Sequence, residues 1–181
     1  LIVLLWMTAV GAADDWLKMT AGQRGSSRQG LYAWEKLVFQ LGIGAIIGYF
    51  GYRAGLSNSP VDTAHVLNLP FQKTYVSAVS DQLAPGVFVL PMAAYITLSI
   101  LMIAGMSNAV NITDGMDGLA AGNSAVVAIG LAVLALIAGN QSWAQTLLVP
   151  FVSNAGEVAV LAGALGGACL GFLWFNCSPA Q

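Results

Sequence analysis

Between residues 108 and 118 the chain reads Asn-Ala-Val-Asn-Ile-Thr-Asp-Gly-Met-Asp-Gly, directly after a long apolar run. Asn108, Asn111, Asp114 and Asp117 recur at three-residue steps, and on a helix Asn111, Asp114 and Asp117 would share a rough common face. Carboxylates accept hydrogen bonds from imide and hydroxyl donors, and carboxamides offer both polarities. Oxygen ligands also suit Mg²⁺, which keeps several waters and bridges to phosphates. With Gly115 and Gly118 loosening the backbone, the stretch reads as a site for a polar, phosphorylated ligand at a bilayer surface. The rival reading is an Asn/Asp/Gly-rich turn between two membrane helices. The regular three-step spacing of four polar residues argues against it.

A second acidic group, Asp14-Asp15, follows the apolar residues 1–13. Adjacent residues on a helix point about 100° apart, so the two acids have room for different tasks. Acids at the C-terminal end of an apolar helix are disfavoured by the helix dipole, which suggests a task; a solvated pair is the alternative. Lys18 lies three and four residues on and can pair with either acid. Asn176 is the polar residue that follows the last apolar segment.

The elements that position these groups belong in a membrane. Hydrophobic residues make up 57% of the 181 and charged residues 8%, with a mean hydropathy of +0.76. Soluble domains carry about 25% charged residues, so this surface is built for lipid. The net charge of −2 gives no sign of a nucleic-acid partner. Cys169 and Cys177 have neither metal-ligand nor disulfide-scaffold spacing and read as small packing residues. A membrane helix needs about 20 mostly apolar residues, a test met by 87–105, 119–138 and 155–175. Residues 37–52 are shorter but uncharged, and Tyr49 and Tyr52 suit an interfacial belt. Residues 1–13 are too short to span and read as the end of a truncated helix; a signal-peptide core would need a basic flank that is absent. The expected fold is an all-α integral membrane protein. It is a polytopic bundle of about five transmembrane helices. Residues 65–71 alternate weakly, which suggests a short extracytoplasmic strand or hairpin. Residues 1–181 read as a single membrane domain truncated at both ends, an internal piece of a larger protein.

Counting crossings puts Asp14-Asp15, the 108–118 run and Asn176 on one face, because they follow the first, third and fifth apolar segments. The loop on that face carries Lys18, Arg24, Arg28 and Lys36, against Arg53 and Lys73 opposite. The positive-inside rule makes the clustered face cytoplasmic. His65, the one histidine, reads as a loop residue rather than a ligand. Glu157, in the first turn of the last helix, complements its dipole.

Residues 108–120, Asn-Ala-Val-Asn-Ile-Thr-Asp-Gly-Met-Asp-Gly-Leu-Ala, resemble the signature of the bacterial phospho-MurNAc-pentapeptide translocases. Gly-Ala-Ala-Asp-Asp-Trp-Leu-Lys at 11–18 looks like that family's paired-aspartate motif. Gly-Phe-Leu-Trp-Phe-Asn-Cys-Ser-Pro-Ala-Gln at 171–181 is similar to its Phe-Asn-x-x-Pro-Ala-Gln stretch. The resemblance covers essentially the whole chain, in order. Thr113 and Pro179-Ala180-Gln181 favour the muramoyl branch of the polyprenyl-phosphate sugar-1-phosphate transferases.

The resemblance implies a phosphoryl transfer at the inner membrane face of a bacterium. Undecaprenyl phosphate attacks UDP-MurNAc-pentapeptide, giving lipid I and UMP, with Mg²⁺ as cofactor. Asp14 and Asp15 would be the catalytic pair and metal ligands, their individual roles open. Asn111, Gly115 and Asp117 would be nucleotide-side contacts, with Asn108 and Asp114 in the same pocket. Asn176 would be a further substrate contact and Lys18 a phosphate contact. The family often forms homodimers. Its pattern continues, beyond what is present here, with a Met-Gly-Asp element bearing a third aspartate and a uracil-stacking aromatic, then a histidine-rich loop. Its first helices are missing too, and residues 19–29 look longer than is usual. The 181-residue piece alone is therefore expected to be inactive, which an assay for UMP release in detergent tests. The alternatives are a sister transferase using UDP-GlcNAc or another UDP-sugar, a transporter and a structural membrane subunit. A transporter normally carries ionisable groups within its spans.

Overall fold

The computed structural model describes residues 2–21, 30–56, 64–67, 69, 72 and 86–175. The long helices are α1 (Ile2–Ala21), α2 (Ala33–Gly55), α3 (Met92–Thr113), α4 (Leu119–Ala138) and α6 (Ala155–Phe175), with a short α5 (Gln141–Thr146) before the last. Strands β1 (Val66–Leu67) and β2 (Phe88–Val89) form a two-stranded antiparallel ladder, Val66 opposite Val89. The fold is the expected all-α polytopic membrane protein. Among the described residues four helices, α2, α3, α4 and α6, are long and apolar enough to cross a bilayer. The fifth expected crossing, α1, is 20 residues long but is not among them; it carries Asp14, Asp15 and Lys18.

Helix ends depart from the apolar runs for local reasons. α1 continues two turns past residue 13, where Lys18 pairs with Asp14 one turn away. α3 begins at Met92 rather than 87, because Phe88 and Val89 are taken by the ladder and Pro91 directly precedes the helix. It ends at Thr113 rather than 105, since nothing breaks it before Gly115. The expected hairpin exists, but β1 finds its partner more than twenty positions on rather than within residues 65–71. α4 and α6 coincide with the expected spans.

The chain divides into two compact units. The first comprises residues 1–65 and 90–107. Its helices alternate in direction. Lys36 at the start of α2 meets Asp14 near the end of α1, and Gln40 of α2 donates from Nε2 to Ser107 Oγ of α3 at 3.0 Å. The two polar groups of that second pair satisfy each other, as apolar surroundings require. Small residues set the α2–α3 distance: a Cβ on Gly44 would lie 2.8 Å from Ile100 Cα, and one on Gly48 2.9 Å from Ile96 Cα. Such close approach is how helices gain packing where lipid removes the hydrophobic drive. His65 lies in a turn, as expected, but is packed rather than open. It is 1% exposed, its Nε2–H donates to the Tyr52 carbonyl at 2.9 Å, and its ring lies 4.0 Å from Tyr52 and 5.5 Å from Tyr95.

The second unit comprises residues 66–89 and 108–181. Its core is an antiparallel pair in which Ala125, Ala128, Ala135 and Ala138 of α4 meet Ala155, Ala159, Ala162 and Gly166 of α6. Alanines are buried while Val126, Leu136, Val160 and Phe172 face outward, the arrangement lipid favours. The connector between them carries α5, capped by Asn140, whose side-chain oxygen accepts from the Ser142 and Trp143 N–H groups. Glu157 lies in the first turn of α6, as expected.

Candidate active site

In the first unit the two adjacent acids separate as their helical angle requires. Asp14 is 6% exposed, whereas the side chain of Asp15 is 73% exposed. Three donors converge on Asp14. Lys18 Nζ lies 2.7 Å and Lys36 Nζ 2.9 Å from Oδ2, and the Leu31 N–H donates to Oδ1 at 2.7 Å. Among the described residues Asp15 has only a long contact, 3.4 Å, to Lys18. Lys18 thus pairs with both acids, as its spacing predicts.

The electrostatics follow from these contacts. Burial pushes the Asp14 carboxyl up, but the hydrogen bonds from Lys18, Lys36 and Leu31 outweigh it and bring it from 3.8 down to about 2. The Asp14 hydrogen bond, opposed by burial, raises the Lys18 ammonium above its ordinary 10.5. Asp14 is therefore a fixed anion and Lys18 a fixed cation through the physiological range.

Lys36 and Gly30 are the residues that sequence reasoning missed as site members. Lys36 entered only as one of four positive charges, and 22 positions separate it from Asp14. No spacing rule links residues so far apart. Gly30 adopts φ +96°, the left-handed region open to glycine, and brings the backbone against Asp14.

In the second unit, α3 runs through Asn108 and Asn111 and ends at Thr113; Asp114 to Gly118 form the turn into α4. Gly118 caps α4 with φ +78°, so the glycine is required by the turn itself. Asn111, Asp114, Gly115 and Asp117 are exposed, and Asn108 is half-buried. The expected shared helical face of Asn111, Asp114 and Asp117 does not form, because the helix stops at Thr113, before both aspartates. Thr113 turns inward on its own helix, donating to the Ala109 carbonyl at 2.7 Å. The antiparallel α4–α6 pair places the Gly118 end of α4 and the Phe175 end of α6 at one end of this unit. Asn176, Cys177 and residues 178–181 lie outside the described residues. In the first unit the Asp14 end of α1, the Lys36 end of α2 and the Ser107 end of α3 lie together.

Among the described residues no three His, Cys, Asp or Glu side chains gather into a metal-binding group. Asp14 does not fit a metal: both oxygens are engaged, and two ammonium groups adjoin it. Asp15 fits as a single carboxylate ligand to an ion that keeps most of its waters.

A membrane-helical chain with one buried and one open aspartate beside two lysines, and a separate amide- and acid-rich turn, is matched over residues 1–181 by the model of glycosyl transferase family 4. The chain belongs to that family. It is 40% identical over 181 residues to a phospho-N-acetylmuramoyl-pentapeptide-transferase of Chlorobium chlorochromatii, covering all of this chain and 44% of that relative. Similar matches are found in Desulfotalea psychrophila, 40% identical over 182 residues, and Chlorobaculum tepidum, 38% over 183, with the same coverage. The chain thus spans less than half the length of these relatives.

Proposed function

We propose that this family 4 chain is the part of a phospho-N-acetylmuramoyl-pentapeptide-transferase that carries the paired aspartates and the nucleotide-side turn. The reaction is transfer of phospho-MurNAc-pentapeptide from UDP-MurNAc-pentapeptide to undecaprenyl phosphate. An oxygen of the lipid phosphate bonds to the sugar-side phosphorus of the diphosphate, the bridging P–O bond breaks, and UMP leaves with the bridging oxygen. The product is lipid I of peptidoglycan synthesis. The site faces the cytoplasm across the bacterial inner membrane, supported by the basic residues Lys18, Arg24, Arg28 and Lys36 on the loop of that side.

The observation that carries this reading is the split pair: Asp14 locked between two ammonium groups, Asp15 open beside them. Phosphoryl transfer asks for positioning and charge neutralisation rather than covalent help from the protein. Lys18, half-exposed, can offer its ammonium to a phosphate while anchored on Asp14. Asp15 can accept from a lipid phosphate or bind its counter-ion. Mg²⁺ would screen the two phosphates from each other when bound, with Asp15 giving one of its oxygens. Asp117 and Asn111, exposed on the turn and the last turn of α3, would take the uridine side, a carboxylate accepting from the imide N–H. Asp114, Gly115 and Asn108 would line the same pocket, and Asn176 would add a contact.

The test is UMP release by the full-length protein in detergent, with UDP-MurNAc-pentapeptide and UDP-GlcNAc in competition. Mg²⁺-dependent release that follows the muramoyl substrate is expected. Preference for UDP-GlcNAc assigns the chain to a sister transferase, and no release with either overturns the proposal. Assembly as a homodimer belongs to the same proposal and is read from the mass of the detergent-solubilised protein.

A further inference from the structure

We propose that Gly30, the Leu31 N–H and Lys36 form a clamp that makes Asp14 a positioning residue, holding the Lys18 and Lys36 ammonium groups in place and leaving Asp15 as the carboxylate open to substrate and metal. The inference rests on the transferase reading for its substrate and on geometry alone for the clamp. Oδ1 of Asp14 accepts from Leu31 N–H at 2.7 Å, and Oδ2 takes Lys18 at 2.7 Å and Lys36 at 2.9 Å. Three strong donors take three of a carboxylate's roughly four lone-pair directions, and at 6% exposure the group has little open surface through which a ligand could reach the fourth. A divalent ion bound there would also sit within a few ångströms of two ammonium charges, which repel it.

Gly30 makes the clamp possible. A Cβ at this position would stand 2.7 Å from Asp14 Oδ1 and 3.2 Å from Lys18 Cε, at a φ of +96° that side chains rarely adopt. Any other residue forces the carboxylate or the backbone away, and with it the Leu31 N–H. Lys36 is 28% exposed at the side chain and Lys18 51%, so both ammonium groups are anchored on one side and reachable on the other. Two preset cations suit the negative charge on transferring phosphates, and their placement adds no reorganisation at the moment of reaction.

Three measurements on the full-length protein in detergent decide it. First, Mn²⁺ alone is titrated by electron paramagnetic resonance. Asp14→Asn should bind it within about twofold of the parent, and weakening by about tenfold or more makes Asp14 a metal ligand and overturns the proposal. Second, Gly30→Ala and Lys36→Met should lower kcat by about tenfold or more with the KM for UDP-MurNAc-pentapeptide little changed, and Lys36→Arg should recover part of the loss. Parental turnover in Gly30→Ala overturns the clamp. Third, thermal unfolding of Asp14→Asn, Lys36→Met and the double variant should be non-additive; additive shifts in Tm overturn it. This last readout needs no turnover. It decides the clamp even where Gly30→Ala does not fold, or where the parent releases no UMP and the transferase reading itself fails.

Discussion

The chain's two acidic regions are held in opposite ways. Asp14 is buried with both oxygens engaged, by Lys18, Lys36 and a backbone N–H. Asp114 and Asp117 project from a turn, exposed, with no side-chain hydrogen bond or ion pair among the described residues. A buried carboxylate survives only with partners that replace its water. An exposed one keeps its hydration and can exchange it for a ligand. Sequence motifs of equal prominence are therefore held differently: one acid is fixed between two cations, and the others stay hydrated and open.

The largest expected effect tests the open member of the split pair. Asp15→Asn in the full-length protein should lower UMP release by about 10²–10⁴-fold, the range for loss of a positioned acid–base group, while leaving Tm unchanged. Loss of folding instead would make Asp15 structural and erase its contrast with Asp14. Next, Asp14→Ala strips the anion from two lysines and leaves Leu31 N–H without its acceptor. It should destabilise the protein by about 1–3 kcal/mol, read from thermal unfolding.

Acid should reach the same contact without mutation. The Asp14 carboxyl is lower in the folded protein, about 2 against 3.8, so folding favours the ionised form. Its contribution is present above pH 3.8 and is lost as pH falls toward 2. It amounts to about 2.5 kcal/mol at most. Lys18 has the opposite sign: raised above 10.5, it contributes below that pH and loses its contribution as pH rises through the raised value. Unfolding followed by tryptophan fluorescence across the acid range should show the loss, and Asp14→Asn should flatten it. The smallest effect belongs to the turn: Asp117→Ala should change stability by no more than about 0.5 kcal/mol. A larger drop would show that the turn, too, is held by its acids, and the contrast would fail.

The sequence by itself determined the solvent, the helical class and the spans of α4 and α6, because an uninterrupted apolar run of about 20 residues has one stable arrangement in lipid. It also determined that Lys18 can reach Asp14, since one helical turn fixes that distance. It marked Asn108, Asn111, Asp114 and Asp117 as chemistry, though not that α3 would stop at Thr113 and put the aspartates on a turn. Only the tertiary structure decided which of two adjacent aspartates is buried, that Lys36 returns across 22 positions to meet it, and that β1 pairs with residues 88–89. It also decided that Gly30 opens the space for that meeting. The physical reason is range: periodicity and helix pairing act over one or two turns, whereas a buried ion pair is set by whichever distant segment packs against it.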